Sequence, residues 1–400
     1  MKLCLKLLFI SLLANALYQR AVADSFYSAF GLGIPQYYVS SQSVGMGGAG
    51  IGVGQYLSIN SLNPAAVRMK GFTMISASFQ GEITDNTVSG STVTTRQGNA
   101  AGFHFTIPMY KNKIAVIASL KPLIKSRLTV DFEDAGEDFD LRRTISASGG
   151  ISAASLGLNY AVLPGIYIGG LFNFNFGAYN EIWKTDFDND LYQSTEDDIT
   201  SHLWGTGAEV GLLIQPISFF SVGGIVKTSS PLNIETTKLT SSGVDLTPIE
   251  QTATYPLAVG AGFSFDFTKV LIAGDIYTQR WQDYKVDDEK SDRLTNYIRV
   301  GAGIEYVRSK DYLSTYFKRV SFRLGASYAQ LPFLDTNGDA ATEMFVTGGL
   351  GFPFNKNAGR IDLALEVGER SSTEAYPYSE GLIRISASIT MAEKWFQRLY

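Results

Sequence analysis

Residues 361–368 read Ile-Asp-Leu-Ala-Leu-Glu-Val-Gly, and residues 383–390 read Ile-Arg-Ile-Ser-Ala-Ser-Ile-Thr. In both stretches apolar side chains alternate with small, polar or charged ones. This period of two residues is that of a β-strand, in which successive side chains point to opposite faces. The same alternation occurs in residues 298–306 and 320–328. The C-terminal half of the chain is therefore predicted to consist of strands with one apolar and one polar face.

Extending the search along the chain predicts about fourteen strands, an even number. They span residues 71–83, 98–108, 113–121, 144–161, 165–184, 198–214, 217–228, 252–265, 268–286, 293–308, 317–330, 342–352, 359–370 and 380–391. The connections are short at 109–112, 162–164, 215–216 and 266–267, and longer at 84–97, 122–143, 229–251 and 371–379. Short periplasmic turns that alternate with longer external loops are typical of bacterial outer-membrane barrels, and this layout places both termini in the periplasm.

The predicted fold is all-β, a transmembrane antiparallel β-barrel of about fourteen strands over residues 71–391. After Asp24 no apolar run reaches about 18 residues, so no transmembrane helix is predicted. A closed barrel is then the remaining way to satisfy every backbone group inside a bilayer. A soluble β-sandwich would share the alternation, but it is not expected to combine it with an export signal, long strands and two classes of connection.

The first 23 residues have the pattern of a cleaved signal peptide. Lys2 and Lys6 precede an apolar run, and residues 21–23 are the small-x-small pattern that signal peptidase cuts. This predicts export towards the outer membrane of a Gram-negative cell. Cys4 is the only cysteine, so the mature chain would have no disulfide framework and no thiolate metal site. Losing the three basic residues of this segment would take the formal charge from −5 to −8, which does not suit nucleic-acid binding.

Residues 24–70 do not fit the strand pattern. They contain a glycine-rich stretch at 43–50 and the sequence Ser-Leu-Asn-Pro-Ala-Ala at 61–66. A stretch of about 45 residues before the first strand is too long for a turn, so it either hangs in the periplasm or folds into the lumen. Because a barrel of about fourteen strands has a lumen wide enough to need filling, we predict an N-terminal plug, or hatch, over 24–70. Residues 392–400 are predicted to form a periplasmic tail.

Ionisable residues that alternate with apolar ones in the predicted strands should face the lumen. A charge that faces lipid at mid-depth costs about 2 to 4 kcal/mol. The residues concerned are Glu209, Asp275, Arg299, Glu305, Arg323, Asp362, Glu366 and Arg384. Both signs occur, so they can pair with one another and with the plug. Two roles stay open for them, anchoring the plug or taking part in conduction.

The sequence gives little basis for catalysis or cofactor binding. The two histidines, His104 and His202, have no nucleophile at a recognisable spacing. Residues 45–50 match GxGxxG, but no strand precedes them in a βαβ unit, which argues against a dinucleotide site. The acidic stretch 335–339 lacks the later Gly and Glu of a calcium loop. We expect no enzyme activity, no cofactor and no metal site.

At residues 43–50 and 63–65, just before the first predicted strand, the chain resembles the FadL family of outer-membrane transporters for long-chain fatty acids and other hydrophobic compounds. Residues 255–260, 275–281 and 323–332 are also similar, so the resemblance spans most of the mature chain. In that family an N-terminal hatch with an Asn-Pro-Ala motif plugs the barrel. The resemblance assigns the hatch to Ser43, Gly45, Gly47, Gly48, Asn63, Pro64 and Ala65.

The resemblance implies a hydrophobic ligand that is captured at the external loops, bound in an apolar pocket and released after the hatch shifts, often through a gap in the wall. We therefore expect passive uptake of hydrophobic small molecules, with outer-membrane lipid and lipopolysaccharide around the barrel. A rival hypothesis is that the barrel is a scaffold or shuttle for a protein partner, as in the type IX secretion shuttle proteins. An open polar porin would fit the inward charges but not the residues before Gly71. The sequence predicts neither the pocket residues nor the oligomeric state.

Overall fold

The computed structural model describes residues 25, 27, 32–37, 40–54, 59–67, 72–88, 91–110, 113–135, 140–188, 192–241, 247–335, 337–371 and 378–395. The predicted signal peptide, residues 1–23, lies outside them, as do residues 396–400 of the predicted tail.

In this part of the chain fourteen antiparallel strands form the wall of a closed barrel, in which β14 pairs with β1. The strands are β1 (Thr73–Val88), β2 (Ser91–Pro108), β3 (Ile114–Ala135), β4 (Asp140–Leu163), β5 (Ile166–Phe187), β6 (Thr195–Ile217), β7 (Phe220–Lys227 and Ser230–Leu239), β8 (Ile249–Tyr255 and Ala258–Asp266), β9 (Val270–Gln279 and Lys285–Val286), β10 (Glu289–Lys290 and Tyr297–Val307), β11 (Ser321–Leu334), β12 (Ala340–Phe354), β13 (Gly359–Ser371) and β14 (Tyr378–Glu393). The predicted all-β barrel is confirmed.

The remaining elements are short. They are the helices α1 (Ser41–Val44) and α2 (Tyr316–Arg319), the 3-10 turns Pro64–Ala66, Trp281–Asp283 and Asn355–Asn357, and the two-residue strand Ile34–Pro35. No helix in the ranges given above is long and apolar enough to span a membrane.

The wall has an apolar outer surface and a polar lining. On β13 and β14 the outward side chains are exposed, with Val367 at 48% and Ile385 at 56%. Their neighbours Asp362 and Glu366 point inward and are 1% and 6% exposed. A soluble protein would place these two kinds of side chain the other way round. This arrangement is that of a transmembrane barrel.

The predicted long connections at 84–97, 122–143 and 229–251 are wrong, because most of these residues belong to strands. β1 and β2 are separated only by residues 89–90, and β3 and β4 only by 136–139. These strand ends extend past the apolar belt, where water replaces lipid and alternation is lost. The last strand likewise runs to Glu393, two residues beyond its predicted end. We call the end of the barrel where β1 begins and β14 ends the periplasmic end, following the layout of bacterial barrels.

The wall is interrupted between β2 and β3. Their ladder runs only from the pair Pro108–Ala115 to the pair Phe103–Leu120. At this level the register shifts on both sides, between β1 and β2 after Ser78 and between β3 and β4 at Pro122. Proline has no N–H to give to a ladder, and a bulge bends its strand. We call the gap between residues 91–102 of β2 and 121–135 of β3, all within the described ranges, the wall seam.

Candidate functional site: the lumenal segment and the wall seam

The described residues between 25 and 67, which we call the lumenal segment, lie inside the barrel. Residues 41–53 are all buried. Gly47 has a φ of +67°, and a Cβ there would meet the Ala326 carbonyl oxygen at 2.2 Å. A Cβ on Gly45 would lie 3.0 Å from the Cα of Gly349 on β12. Glycine is needed at these positions because the segment's backbone touches the backbone of the wall.

Charged side chains of the wall hold the same stretch. The Asp275 carboxylate on β9 accepts hydrogen bonds from the backbone N–H of Gly50 at 2.6 Å and of Ile51 at 2.8 Å. Arg299 on β10 donates to the Gly47 carbonyl at 3.0 Å. Its guanidinium also lies 4.5 Å from the centre of the Tyr37 ring. These contacts fix the segment to adjacent strands through its backbone.

Asn63 connects the second half of the segment to the wall. Its Nδ2 donates to the carbonyls of Ile51, at 2.8 Å, and of Leu212, at 3.1 Å. Its Oδ1 accepts from the Ala65 N–H at 2.9 Å and so caps the 3-10 turn that begins at Pro64. Asn159 on β4 donates to the Pro64 carbonyl at 2.8 Å. The Asn-Pro-Ala motif therefore joins two parts of the segment to β4 and β6.

The structure places all eight ionisable residues singled out in the sequence on the lumenal side of the wall. Asp275, Arg299 and Glu305 form hydrogen bonds with the lumenal segment, and Glu305 accepts from Gln42 of α1 at 3.1 Å. Arg323 bonds Glu305 at 2.6 Å and Asp362 at 2.8 Å. Some of the eight inward charges therefore pair with other wall residues, and others anchor the lumenal segment.

Sequence reasoning missed a second group of buried charges near the external end. Arg370, 1% exposed, bonds Glu380 and Glu343 at 2.5 Å each. The Ser25 hydroxyl, at the start of the lumenal segment, donates to Glu380 at 2.5 Å. Arg384, which was predicted to face the lumen, pairs with Glu82 and Glu343. These residues lie where the alternation is weak, so only their clustering in space identifies them.

The external half of the lumen is packed with apolar side chains. These side chains form one apolar cluster. It includes Trp281 and Leu294, which are 1% and 7% exposed and belong to residues 280–296, which we call the external lid. The Trp281 ring lies 6.0 Å from that of Tyr255 and 5.8 Å from that of Tyr284. Burial raises the pKa of Tyr284 to about 12, so this phenol stays neutral. From the lumenal segment, Tyr27 and Leu32 join the cluster.

The lumenal segment also pairs with the open edge of β3 at the seam. Ile34 lies opposite Lys125 and Pro35 opposite Ile124 in antiparallel register, and the Gln36 N–H donates to the Leu123 carbonyl at 2.8 Å. The Asn99 amide on β2, turned so that its oxygen faces β3, accepts from the Lys125 ammonium at 2.9 Å. Side chains and the segment thus bridge the seam where the wall ladder does not.

Two large cavities adjoin α1. The first, about 380 Å³, is lined on one side by the seam residues Asn99, Pro122 and Lys125 and on the other by Ser41 and Val44. The second, about 270 Å³, opens at the periplasmic end. It is lined by Gln42 and Val53 of the segment together with wall residues such as Asp266 and Arg360. The lumenal segment therefore separates a cavity at the wall seam from a cavity at the periplasmic mouth.

A family model described as BamG matches residues 1–399. The chain is a member of the BamG family. No curated protein matches the BamG-family chain. Solved structures with the same fold include the toluene transporter TbuX of Ralstonia pickettii, at 16% identity and a TM-score of 0.61 over 88% of this chain and 97% of that one.

A FadL homologue of Pseudomonas aeruginosa matches the BamG-family chain at 12% identity and a TM-score of 0.64, over 90% of this chain and 99% of that one. The toluene transporter TodX of Pseudomonas putida matches at 15% identity and a TM-score of 0.58, over 90% and 99%. The FadL-like resemblance read from the sequence is confirmed as a likeness of fold, although the family model that matches has another name.

Proposed function

We propose that this BamG-family barrel lies in the outer membrane of a Gram-negative cell and mediates passive uptake of hydrophobic small molecules. In this proposal the lumenal segment is the hatch, and it closes the path between the two cavities beside α1. The observation that carries the proposal is the cavity of about 380 Å³ that extends from the wall seam to α1. A compound in that cavity is close both to the lipid outside the seam and to the hatch.

The cavity suits an amphipathic ligand better than a pure hydrocarbon. Its lining includes apolar Ile124 and Phe345, and also Arg384, Gln80 and Lys125. Binding sites for small molecules are concave and use a few polar groups to orient a mostly apolar ligand. A compound with an acyl chain and a polar head would meet both kinds of side chain, and a fatty acid is of that kind. Two of the solved structures of like fold are described as toluene transporters, which is consistent with a hydrophobic cargo.

A disulfide that locks the segment to the seam tests the proposal. Ile34 and Lys125 are cross-strand neighbours, and such pairs have Cα atoms about 4.5 to 5.5 Å apart, within disulfide range. The mature chain is expected to have no other cysteine. Host cells that lack their own transporter and produce the Ile34→Cys/Lys125→Cys variant should take up radiolabelled oleic acid when the bond is reduced, and at least tenfold more slowly when it is oxidised.

The matched control is Thr129→Cys/Ser146→Cys, a cross-strand pair on β3 and β4. Its disulfide links two wall strands and does not cross-link the lumenal segment. Its uptake should be independent of oxidation. Uptake that never exceeds that of cells without the barrel contradicts transport altogether. Uptake that is present but indifferent to the first disulfide contradicts the seam as the route while leaving transport in place.

A scaffold for a protein partner is the second candidate. It is favoured by the dense packing of the external lumen, where the lid and the lumenal segment bury Trp281, Tyr27 and Leu32 together. A scaffold has no need of a path through the barrel. Cross-linking in cells followed by purification in mild detergent distinguishes the two. A stoichiometric protein partner together with no oleic acid uptake would favour the scaffold, whereas a co-purified fatty acid lost on Asn63→Ala substitution would favour transport.

A further inference from the structure

The connection between β10 and β11, residues 308–320, differs from the other periplasmic turns of the described chain. It contains α2 and exposes four large apolar side chains. They are Tyr312, Leu313, Tyr316 and Phe317, at 51%, 76%, 42% and 82% exposure. We call residues 308–320 the rim turn. Exposed apolar side chains grouped in this way mark a surface that contacts something other than water.

The rim turn is fastened to its neighbours on both sides. The Lys310 ammonium pairs with Asp266, the last residue of β8, at 2.9 Å. Arg319 donates to the Asn357 side chain of the β12–β13 turn at 2.8 Å, and Asn357 donates to the Lys310 carbonyl at 3.1 Å. The turn is therefore held along the rim of the barrel, at the level of the neighbouring turns.

That level is the edge of the lipid-facing belt. The last outward pair before the rim turn is Tyr306 and Phe322, at 44% and 53% exposure. In the next two turns along the rim, Phe267 of the β8–β9 turn and Phe219 of the β6–β7 turn stack with ring centres 5.9 Å apart. Aromatic side chains at the ends of the apolar belt lie at the membrane–water interface. The apolar surface of the rim turn therefore continues the surface that the barrel already presents to lipid.

The rim turn is also basic in an acidic chain. It carries Arg308, Lys310, Lys318 and Arg319 against a single carboxylate, Asp311, whereas the whole chain has a formal charge of −5. Among the described residues, the side chains of Arg308 and Lys318 form no ion pair. Basic residues near a membrane surface attract anionic headgroups, and apolar neighbours favour the acyl chains. A protein partner would have to be acidic and would need to displace lipid from the belt.

We infer that the rim turn binds an anionic glycerophospholipid of the periplasmic leaflet. The acyl chains lie against Leu313 and Phe317, and the phosphate group pairs with Arg308 and Lys318. The site is independent of the lumen and of the proposed uptake.

Native mass spectrometry of the purified barrel with equal amounts of phosphatidylglycerol and phosphatidylcholine tests the inference. The wild-type protein should retain phosphatidylglycerol at least tenfold more tightly. Each basic residue contributes about a fivefold preference at a membrane surface, so Arg308→Gln/Lys318→Gln should reduce the selectivity to near unity. The control, Lys184→Gln/Lys238→Gln, removes the same charge from exposed residues at the external end and should keep the preference. Leu313→Ser/Phe317→Ser should weaken retention of both lipids.

All three variants alter exposed side chains, and the mobility shift of the unheated barrel on a denaturing gel verifies that each has folded. Equal retention of the two lipids by the wild-type protein would overturn the inference. An equal loss of the preference for phosphatidylglycerol in the Lys184→Gln/Lys238→Gln control would also overturn it. A protein partner that is lost from Leu313→Ser/Phe317→Ser while lipid retention is unchanged would also overturn it and would assign the rim turn to protein docking.

Discussion

Replacing Asp275 with alanine should release the central part of the lumenal segment. The carboxylate accepts two backbone hydrogen bonds, at 2.6 and 2.8 Å, from Gly50 and Ile51. A hydrogen bond to a charged group contributes about 1.5 to 3 kcal/mol, so losing both destabilises the closed position by about 3 kcal/mol or more. At about 1.4 kcal/mol per factor of ten, the open population rises roughly 150-fold. Asp275→Asn keeps an acceptor oxygen and should have an effect of about tenfold.

The assay uses the predicted absence of cysteine from the mature chain. Ser43 is 8% exposed in the segment, and cysteine is close to serine in size, so Ser43→Cys reports each opening by its rate of reaction with a water-soluble maleimide. The control, Asp266→Ala, removes a carboxylate that pairs with Lys310 at the rim. Equal labelling rates in the Asp275→Ala and Asp266→Ala backgrounds, with both barrels folded, would refute the anchoring role of Asp275.

Three further changes have expected outcomes. Asn63→Ala removes three hydrogen bonds of about 1 kcal/mol each and should also speed labelling at Ser43→Cys roughly 150-fold; an unchanged rate would contradict its role in holding the segment to the wall. Arg323→Met leaves the buried Glu305 and Asp362 carboxylates with Arg360 as their remaining ion-pair partner and should lower the free energy of unfolding in urea by about 3 kcal/mol, a loss that an exposed Lys318→Met should not reproduce. Trp281→Ala should free the external lid and make its basic residues sensitive to trypsin, because truncating a buried tryptophan costs about 3 to 5 kcal/mol; an equally resistant lid would show that this packing does not hold it.

The barrel wall is the part of the fold that could be read from the sequence. On β13 and β14 lipid meets one face and the lumen the other, so the environment imposes a strict period of two on residues such as Leu365 and Glu366. Beyond the apolar belt that constraint ends, which is why the outer parts of β1 to β4 were mistaken for loops. In residues 84–97 the threonines indicate a strand, because threonine favours strands even where apolar and polar residues do not alternate.

The seam and the anchors of the lumenal segment were not predictable from the same pattern. The seam depends on two register shifts at one height of the wall, and only Pro122, inside a predicted loop, hints at one of them. The choice of Asp275 and Arg299 as anchors depends on where the lumenal segment lies against the wall. The pairing of Asp362 with Arg323 depends on their positions on either side of β12 in the wall. Alternation tells which side of a strand a charge occupies, but not what it meets there.

The hydrogen bond between Ser25 and Glu380 joins residues 355 positions apart, and this has a consequence for the order of assembly. The lumenal segment touches strands from β3 to β14, and it is too closely fitted at Gly45 and Gly47 to enter a finished barrel easily. Contacts between distant parts of a chain form late, because closing a long loop costs entropy before the contact is made. We expect the segment to settle on the curved, still open sheet, and the pairing of β14 with β1 to enclose it as the final step.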